Sequence, residues 1–500
     1  GGNRLVFLAT GTGFFAAIIA QDDRRGRFRG INNRHIIFCP RIQRIITVAY
    51  IATSGKKGYE NYAIYEKLNK VGGKSYSPLI EVNGEKRSYE TGAIMGAITY
   101  HAVHEVEEFG GVGHDDGPNM RRMYRDKNGT EIFPFDPKKN FSIGKTLSLM
   151  KLKKQMKKLV EIMETKYKGY DCYGHRGVAQ GKYHGLSKKV DNALEMIEGE
   201  NPNLKDLALP FDQFCKLNGV EEVMRIWIGP YTSFGYGYFD EIPAAYVMKY
   251  LDTTTAIEFV AMRLWTWKNG TQSIYVAANE KLLHPANLNT EVVKVERPAE
   301  GTEGKIKVTI RKDGVESVEE FDQLIVTTPL DWFAKYADAR PEEKELFEKI
   351  IHEKYVDFIA TFEKDKGPTI SGYIFDNMTY DRLGHAMVYY HRWEDQQANC
   401  PSVVYALRNH QGSEDVPYDK TIDLMMEDMK LCGYPVKERL YEQESYYCPH
   451  VSPRDYADGW YDKLEAIQGK QNTWYAGEIM GFGDMEDPCA ASRDLVDRFF

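Results

Sequence analysis

In the stretch HIIFCPRIQRIITVAYIATSGKKGYENYAIYEKLNKVGGKSY, residues 35–76, a strand, a helix and a second strand are predicted to follow one another. Its β-branched run at 36–38 predicts a strand, residues 45–57 a helix, and residues 62–66 a second strand that closes on Glu66. This order is typical of a dinucleotide-binding unit, in which an acidic residue after the second strand accepts the ribose hydroxyls of an adenosine. The usual phosphate loop is missing, because residues 39–44 (CPRIQR) contain no glycine.

Three clusters elsewhere bring small residues and free backbone N–H groups together. VGGKS (71–75) is not a P-loop, because Leu68 stands where such a loop requires a glycine, five residues before Gly73. TGAIMG (91–96) suits the polar edge of a planar ring system. The third cluster runs from Gly477 through GFGDMED to a helix predicted from about Pro488. Together the clusters favour a long dinucleotide.

Composition excludes several classes of function. The net charge of −8 argues against nucleic acid as the main partner. The 7 cysteines are scattered, without the spacing of a zinc site or a CxxC pair. His101 and His104 share a helix face but lack a third ligand, so no metal site is predicted. Because the sequence also lacks hydrolase and metalloprotease motifs, we expect the chemistry to be delegated to a cofactor.

Residues 4–20, RLVFLATGTGFFAAIIA, have the profile of a signal peptide, with a basic residue before a short apolar run. The alternative is a strand with a GxGxxA loop at Gly11, Gly13 and Ala16. Glu66 would then follow Gly11 by 55 residues, where about 20 are expected. The leader favours a secreted or organellar location, and a cytoplasmic one is the alternative.

Three further patterns bear on the architecture. Residues 145–168 predict an amphipathic helix with lysines between its apolar positions, either an ordinary surface helix or a face that transiently contacts a membrane and collects a lipid. Residues 289–298, 305–314 and 321–329 are period-2 segments separated by turn residues, which predicts a β-meander that returns to a buried strand. Residues 240–266 are predicted to be helical.

At this point a family resemblance is visible. The blocks KVGGKSYSP, ETGAIMG, TSFGYGYFDEIPAAYVMKYLD, LWTWKNGTQ, TISGYIFDNM, LGHAMVYYHRW and WYAGEIMGFGDMED resemble the polyenoic fatty acid isomerases, which have red-algal and bacterial (linoleate isomerase) members. These enzymes belong to the flavin-dependent amine oxidase superfamily. The resemblance covers about residues 36–500. It implies an α/β fold in which a Rossmann-like FAD-binding domain of the amine oxidase type is interleaved with a mixed α+β substrate domain and a helical region.

The same resemblance implies a division of the chain. Residues 31–115, 266–330 (with the meander) and 466–500 would form the FAD-binding domain. Residues 116–265 would be a helical, substrate-binding region, residues 331–465 the substrate domain, and residues 1–30 the leader. The family implies FAD as cofactor and a free polyunsaturated fatty acid as partner, and it leaves the oligomeric state open.

The resemblance also implies roles for individual residues. The cofactor would be bound by Glu66 at the ribose, Val293 at the adenine, Gly72, Gly73 and Lys74 at the pyrophosphate, Ala93, Ile94 and Met95 with Met485 and Glu486 beside the flavin ring, and Gly477 and Glu478 at the ribityl and phosphate groups. The substrate would be bound by Arg122 at its carboxylate, by neighbouring Arg121, by Phe259 as an aromatic gate, and by Phe234 and Tyr236. Trp265 and Trp267 would support catalysis beside the channel.

The departure from the family is the missing glycine loop. Arg41 and Arg44 could neutralise a diphosphate by charge, although their side chains block the close backbone approach that glycine permits. The alternative is a local error in the sequence, since both flanks align without a gap.

The family reaction is redox-neutral: oxidised flavin takes hydride at N5 from the methylene between two cis double bonds and returns it two carbons away, giving a conjugated diene. No protein group is implied as the nucleophile. Two rivals stay open on the sequence alone: an oxidase or desaturase of an amine or polyene on the same fold, and a flavin-free lipid-binding protein.

Overall fold

The computed structural model describes residues 36–38, 61–116, 121–136, 138–139, 143–167, 184–186, 194–196, 203–251, 253–261, 263–363, 370–393 and 401–499. The leader, residues 39–44 and the helix predicted at 45–57 lie outside these ranges. Those three expectations therefore stay predictions.

A three-stranded parallel sheet joins distant parts of the chain. Gln323–Val326 lies in its centre, flanked by Ile36–Phe38 and Thr473–Tyr475. Leu324, Ile325 and Val326 are fully buried, as expected of a parallel strand covered on both faces. Because the strands are parallel, their carboxyl ends meet at one edge, where nucleotides bind in open α/β sheets.

The predicted meander is present beside this sheet. Its antiparallel strands are Thr290–Glu296, Ile306–Lys312 and Val315–Phe321, and the chain then enters the buried strand Gln323–Val326. Alternate residues such as Val292, Ile306 and Val308 face the core, which explains the period-2 pattern.

The largest sheet has seven strands. In spatial order they are Val436–His450, Ile351–Phe362, Ser402–Leu407, Val388–His391, Ile370–Ile374, Arg121–Arg125 and Glu131–Ile132. The pairing of Ile370–Ile374 with Arg121–Arg125 is parallel and sets Arg122 opposite Ser371. The strand Arg121–Arg125 belongs to the predicted region 116–265, and its partner Ile370–Ile374 belongs to the predicted region 331–465. The two regions therefore share one sheet.

The remaining sheets of the described ranges are small. They are the hairpin Leu79–Val82 with Glu85–Ser88, the trio Gly96–Ala97, Leu264–Thr266 and Asp115–Asp116, and the pair His184–Leu186 with Leu194–Met196. Tyr62–Ile64 is a further short strand. The α-helices are His101–Gly110, Ile143–Glu164, Leu204–Leu207, Phe211–Asn218, Met224–Trp227, Ala244–Tyr250, Thr253–Ala261, Gln272–Glu280, Leu330–Tyr336, Pro341–Phe347, Tyr418–Leu431, Pro453–Ala457, Trp460–Ala466, Glu478–Gly481 and Glu486–Phe499.

One helix prediction is wrong. Residues 240–266 form two short helices and a strand, because the backbone at Leu251 leaves the helical region (φ −111°, ψ 63°) and Leu264–Thr266 pairs with Gly96–Ala97. The other predicted helix, at 145–168, is present as Ile143–Glu164. None of the helices in the described ranges has the length and apolar character needed to cross a bilayer.

Candidate functional site

The edge where the carboxyl ends of the parallel strands meet has the features of a nucleotide-binding site. Gly477 follows Thr473–Tyr475 with φ 112° and begins the short helix Glu478–Gly481. A Cβ at Gly477 would come within 3.3 Å of the Thr327 carbonyl oxygen, in a backbone conformation that side chains rarely adopt. The Thr327 hydroxyl is buried at the end of the central strand and finds no hydrogen-bond partner among the described residues. A buried donor in this place fits a phosphate oxygen.

The two glycine turns nearer the N-terminus meet that edge. Gly72 has φ 122°, and the Lys74 ammonium forms an ion pair with Glu478, both side chains being at most 5% exposed. A Cβ at Gly92 would overlap the Lys74 carbonyl oxygen at 1.6 Å, so only glycine permits the two turns to touch. The three clusters predicted from sequence therefore converge. The ammonium of Lys74 is held by Glu478, and its role at a pyrophosphate stays a prediction.

Glu66 and Val293 lie on adjoining segments at the adenosine end. Glu66 is 7% exposed, and its Oε1 accepts a hydrogen bond from the Leu68 N–H at 2.8 Å. The Thr290 N–H donates to the Glu66 carbonyl at 2.8 Å, which ties the strand Thr290–Glu296 to this acid. Within that strand the ladder skips Val293, since Val292 pairs with Ile310 and Lys294 with Thr309. Such a bulge leaves backbone groups outside the ladder, which fits the predicted contact with adenine.

Next to the glycine turns lies the inner cavity, with about 1000 Å³ of empty space, its open mouth included. The lining brings together many residues predicted from sequence: Ala93, Ile94, Met95, Glu478 and Met485 from the flavin-binding segments, and Arg122, Phe234, Tyr236 and Phe259 from the substrate side. A mainly apolar cavity with few polar groups is the usual form of a site for a small organic ligand.

Tyrosines that could not be predicted from sequence complete this cavity. Tyr250 and Tyr447 pack against Tyr236, with ring centroids 4.3 and 5.9 Å away. Burial raises the pKa values of all three hydroxyls well above the ordinary tyrosine range, so these side chains stay uncharged. Tyr250 lies within the KYLD block already quoted. Tyr373 and Tyr447 lie in strands, where no sequence signal separates a lining tyrosine from a core tyrosine.

Arg122 is the cation of this site. Its guanidinium carbon lies 3.9 Å from the centre of the Phe259 ring, and Nη2 donates to the Phe259 carbonyl. Burial raises the pKa of the Tyr373 hydroxyl to about 12, while nearby Arg122 opposes that rise. Among the residues that the structure describes, no carboxylate lies within 4.0 Å of Arg122. A partly buried cation with no acidic partner is a candidate anion receptor.

An outer cavity of about 1120 Å³ adjoins the inner one. Arg122, Phe259 and Tyr373 line both cavities. The amphipathic helix Ile143–Glu164 forms one wall of the outer cavity, through Leu149, Leu152, Lys153 and Met156. Arg122 and the Phe259 ring thus stand at the junction of the two cavities. Their predicted roles, a carboxylate clamp and an aromatic gate, stay predictions.

Of the residues predicted for the flavin ring and the substrate side, four lie outside the lining of the inner cavity. Arg121 is exposed and lines a third, polar cavity, whose wall it shares with Arg122. Trp265 packs behind the wall against Gly96, where an added Cβ would lie 2.1 Å from its indole nitrogen. Trp267 is fully buried and donates to Glu107. Both oxygens of Glu486 accept backbone N–H groups of the helix His101–Gly110, at 2.8 and 2.9 Å.

Comparisons with known proteins agree with this geometry. Residues 56–461 match the family described as flavin containing amine oxidoreductase. That match covers most of the chain. The protein belongs to the flavin-containing amine oxidoreductases. A comparison with curated protein sequences finds no match.

Solved structures extend the comparison. The CLA-producing fatty acid isomerase from P. acnes is 38% identical, with a TM-score of 0.77, over 91% of this chain and 96% of that one. Putrescine oxidase bound to putrescine is 13% identical, with a TM-score of 0.57, over 91% of this chain and 95% of that one. A triple mutant of putrescine oxidase, redesigned in cofactor binding, is 13% identical, with a TM-score of 0.58, over 91% of this chain and 95% of that one. At that identity the oxidases show the fold alone.

This flavin-containing amine oxidoreductase is an enzyme with FAD as its cofactor, and its fold is the α/β fold expected from sequence. The residues present fit the group. The buried Thr327 hydroxyl and the Gly477 turn meet the demands of a diphosphate, and the free backbone at Val293 meets those of an adenine. Membership of a flavin-containing family argues against the flavin-free lipid-binding protein, the alternative that the missing glycines at residues 39–44 had raised.

Proposed function

We propose that the protein is an FAD-dependent isomerase that shifts the methylene-interrupted cis double bonds of free polyunsaturated fatty acids into conjugation. The observation that carries the proposal is an arginine without an acidic partner, placed where an apolar inner cavity beside the flavin-binding turns meets an outer cavity. The 38% identity to the P. acnes fatty acid isomerase supports the same substrate class.

The carboxylate belongs at Arg122. Arginine carries five N–H donors in a fixed plane and pairs with a carboxylate through two of them. One amino group of Arg122 already donates to the Phe259 carbonyl, which fixes the plane of the guanidinium. With the acid group held there, the apolar chain would enter the inner cavity past the Phe259 ring. The distance along the chain then selects the methylene that reacts.

Bound FAD supplies a hydride acceptor that can also return the hydride, so the reaction consumes no external oxidant. The chain's own residues provide the surroundings. Tyr236, Tyr250 and Tyr447 remain uncharged, so they place no negative charge in the inner cavity. Electron-rich rings favour positive charge that develops on a substrate by about 0.5–2 kcal/mol each. The inner cavity therefore suits a polyene that is transiently electron-poor.

Delivery from a membrane surface belongs to the same proposal. Leu147 and Met150 on the helix Ile143–Glu164 are 60% and 63% exposed, and Val260 beside the outer cavity is 48% exposed. Lysines on the same helix give this apolar face a basic border. An exposed apolar face with lysines around it favours the surface of an anionic bilayer, from which a free fatty acid can enter the outer cavity.

Anaerobic incubation of the flavin-loaded protein with linoleate, arachidonate or eicosapentaenoate tests the proposal. We expect ultraviolet absorbance of conjugated double bonds to grow without oxygen and without net loss of oxidised flavin. A reaction that proceeds only with oxygen, and yields hydrogen peroxide or a desaturated product, would instead establish the oxidase alternative.

A further inference from the structure

We propose that His104, Glu107 and His114 form a binding site for a divalent transition metal, with Zn²⁺ as the ion whose chemistry fits. The three side chains lie on the helix His101–Gly110 and on the segment that leads into Asp115–Asp116. The site is separate from the inner cavity, and the proposal does not depend on the reaction catalysed there.

Both histidine rings contact the carboxylate of Glu107. Glu107 Oε2 lies 2.9 Å from Nδ1 of His104 and 3.0 Å from Nδ1 of His114, and its Oε1 lies 3.0 Å from the same His114 atom. One ligand atom from each residue falls within 4.8 Å of the others. Zinc bonds to imidazole and carboxylate are about 2.0–2.2 Å, which sets two tetrahedral ligands roughly 3.4 Å apart. An expansion of about 0.4 Å, within reach of side-chain rotation, would therefore admit the ion.

The surroundings hold these ligands in place. Glu107 is 2% exposed and accepts a hydrogen bond from the Trp267 indole N–H. The His114 ring stacks on Trp265 at 3.9 Å with an angle of 11° between the planes. Glu108 lies 3.6 Å from Nε2 of His104. A carboxylate near the second nitrogen of a ligating histidine is the usual support in metal sites.

The donor set selects the metal. Two imidazoles and a carboxylate suit zinc and its first-row neighbours, whereas calcium and magnesium prefer oxygen ligands alone. His104 is half exposed, which gives the ion a route from solvent and leaves room for water as a fourth ligand. The His101–His104 pair weighed from sequence is not the one that the fold uses, because His114 reaches Glu107 and His104 only when the chain turns back at Gly111.

The bound ion would join the helix to the returning segment and fix the His114–Trp265 stack behind Gly96. Titration of the chelator-treated, flavin-loaded protein with ZnCl₂ tests this by calorimetry. We expect one ion per chain, and a fall in affinity of at least about 100-fold in His114→Ala and His104→Ala, more than is usual for a supporting residue. His101→Ala is the matched control on the same helix and should bind zinc like the wild type.

Two further measurements separate binding from misfolding. Zinc should raise the thermal midpoint of the wild type and of His101→Ala but leave that of His114→Gln unchanged, and a normal flavin spectrum would verify that the variants fold. Co²⁺ should give the visible absorption of a four- or five-coordinate nitrogen and oxygen site. Absence of stoichiometric zinc, zinc binding retained in His114→Gln, or binding lost in His101→Ala would each overturn the assignment.

Discussion

The role of Arg122 yields the sharpest single perturbation. Arg122→Gln removes the positive charge but keeps an amide that can still donate to the Phe259 carbonyl, so the junction of the two cavities stays filled. One amino group is engaged by that carbonyl, which leaves other N–H donors for a substrate carboxylate. A hydrogen bond to a charged group contributes about 1.5–3 kcal/mol, which corresponds to a loss of roughly 10- to 150-fold in substrate affinity.

The assay compares a free fatty acid with its methyl ester. In the wild type the acid should have the higher kcat/KM, and in Arg122→Gln the difference between acid and ester should largely disappear. The flavin content should stay normal, because Arg122 lies outside the glycine turns. Arg121→Gln, the neighbouring position on the opposite face of the same strand, should leave kcat/KM unchanged. An Arg122 variant that keeps the preference for the acid, or that loses flavin, would refute the clamp.

Three further predictions rest on other parts of the structure. Lys74→Met should lower the free energy of unfolding by about 3–5 kcal/mol and reduce flavin content, because it leaves the buried Glu478 charge uncompensated; adding Glu478→Gln should restore part of the stability seen in denaturant titrations. Burial raises the pKa of Glu241 to about 7, so the folded state keeps a proton that the unfolded chain has released above about pH 4.5. The stability of the wild type relative to Glu241→Gln should therefore fall as pH rises from 4.5 to 7, and a rising or flat difference would contradict this. Replacing Leu147 and Met150 by aspartate should weaken co-sedimentation with anionic vesicles while preserving turnover of dispersed substrate, and unchanged sedimentation would count against the membrane face.

The glycine turns were predictable because their signal is local. Gly72, Gly92 and Gly477 are needed for backbone conformation and for close approach, and both demands are written in a few adjacent residues. Glu66 and Val293 could be placed through the order of strands and the family resemblance. The convergence of these segments at one sheet edge then follows from parallel pairing.

The features of the fold and of the site that could not be predicted from the sequence depend on tertiary contacts. Tyr373 and Tyr447 have the same strand context whether they face a cavity or a core, so their place at the site could not be predicted. Trp267, expected beside the channel, is buried because Glu107 accepts its indole N–H. The helix expected over 240–266 is interrupted because pairing of Leu264–Thr266 with Gly96–Ala97 overrides helical preference.

We propose that this flavoenzyme moves double bonds without net oxidation. The most direct measurement is anaerobic turnover of a polyunsaturated fatty acid. The ultraviolet absorbance of the conjugated product, the flavin spectrum and the concentration of remaining substrate are followed together. We expect many equivalents of conjugated isomer per flavin, with the flavin oxidised at the end. A single turnover that leaves the flavin reduced until oxygen is admitted would contradict the account.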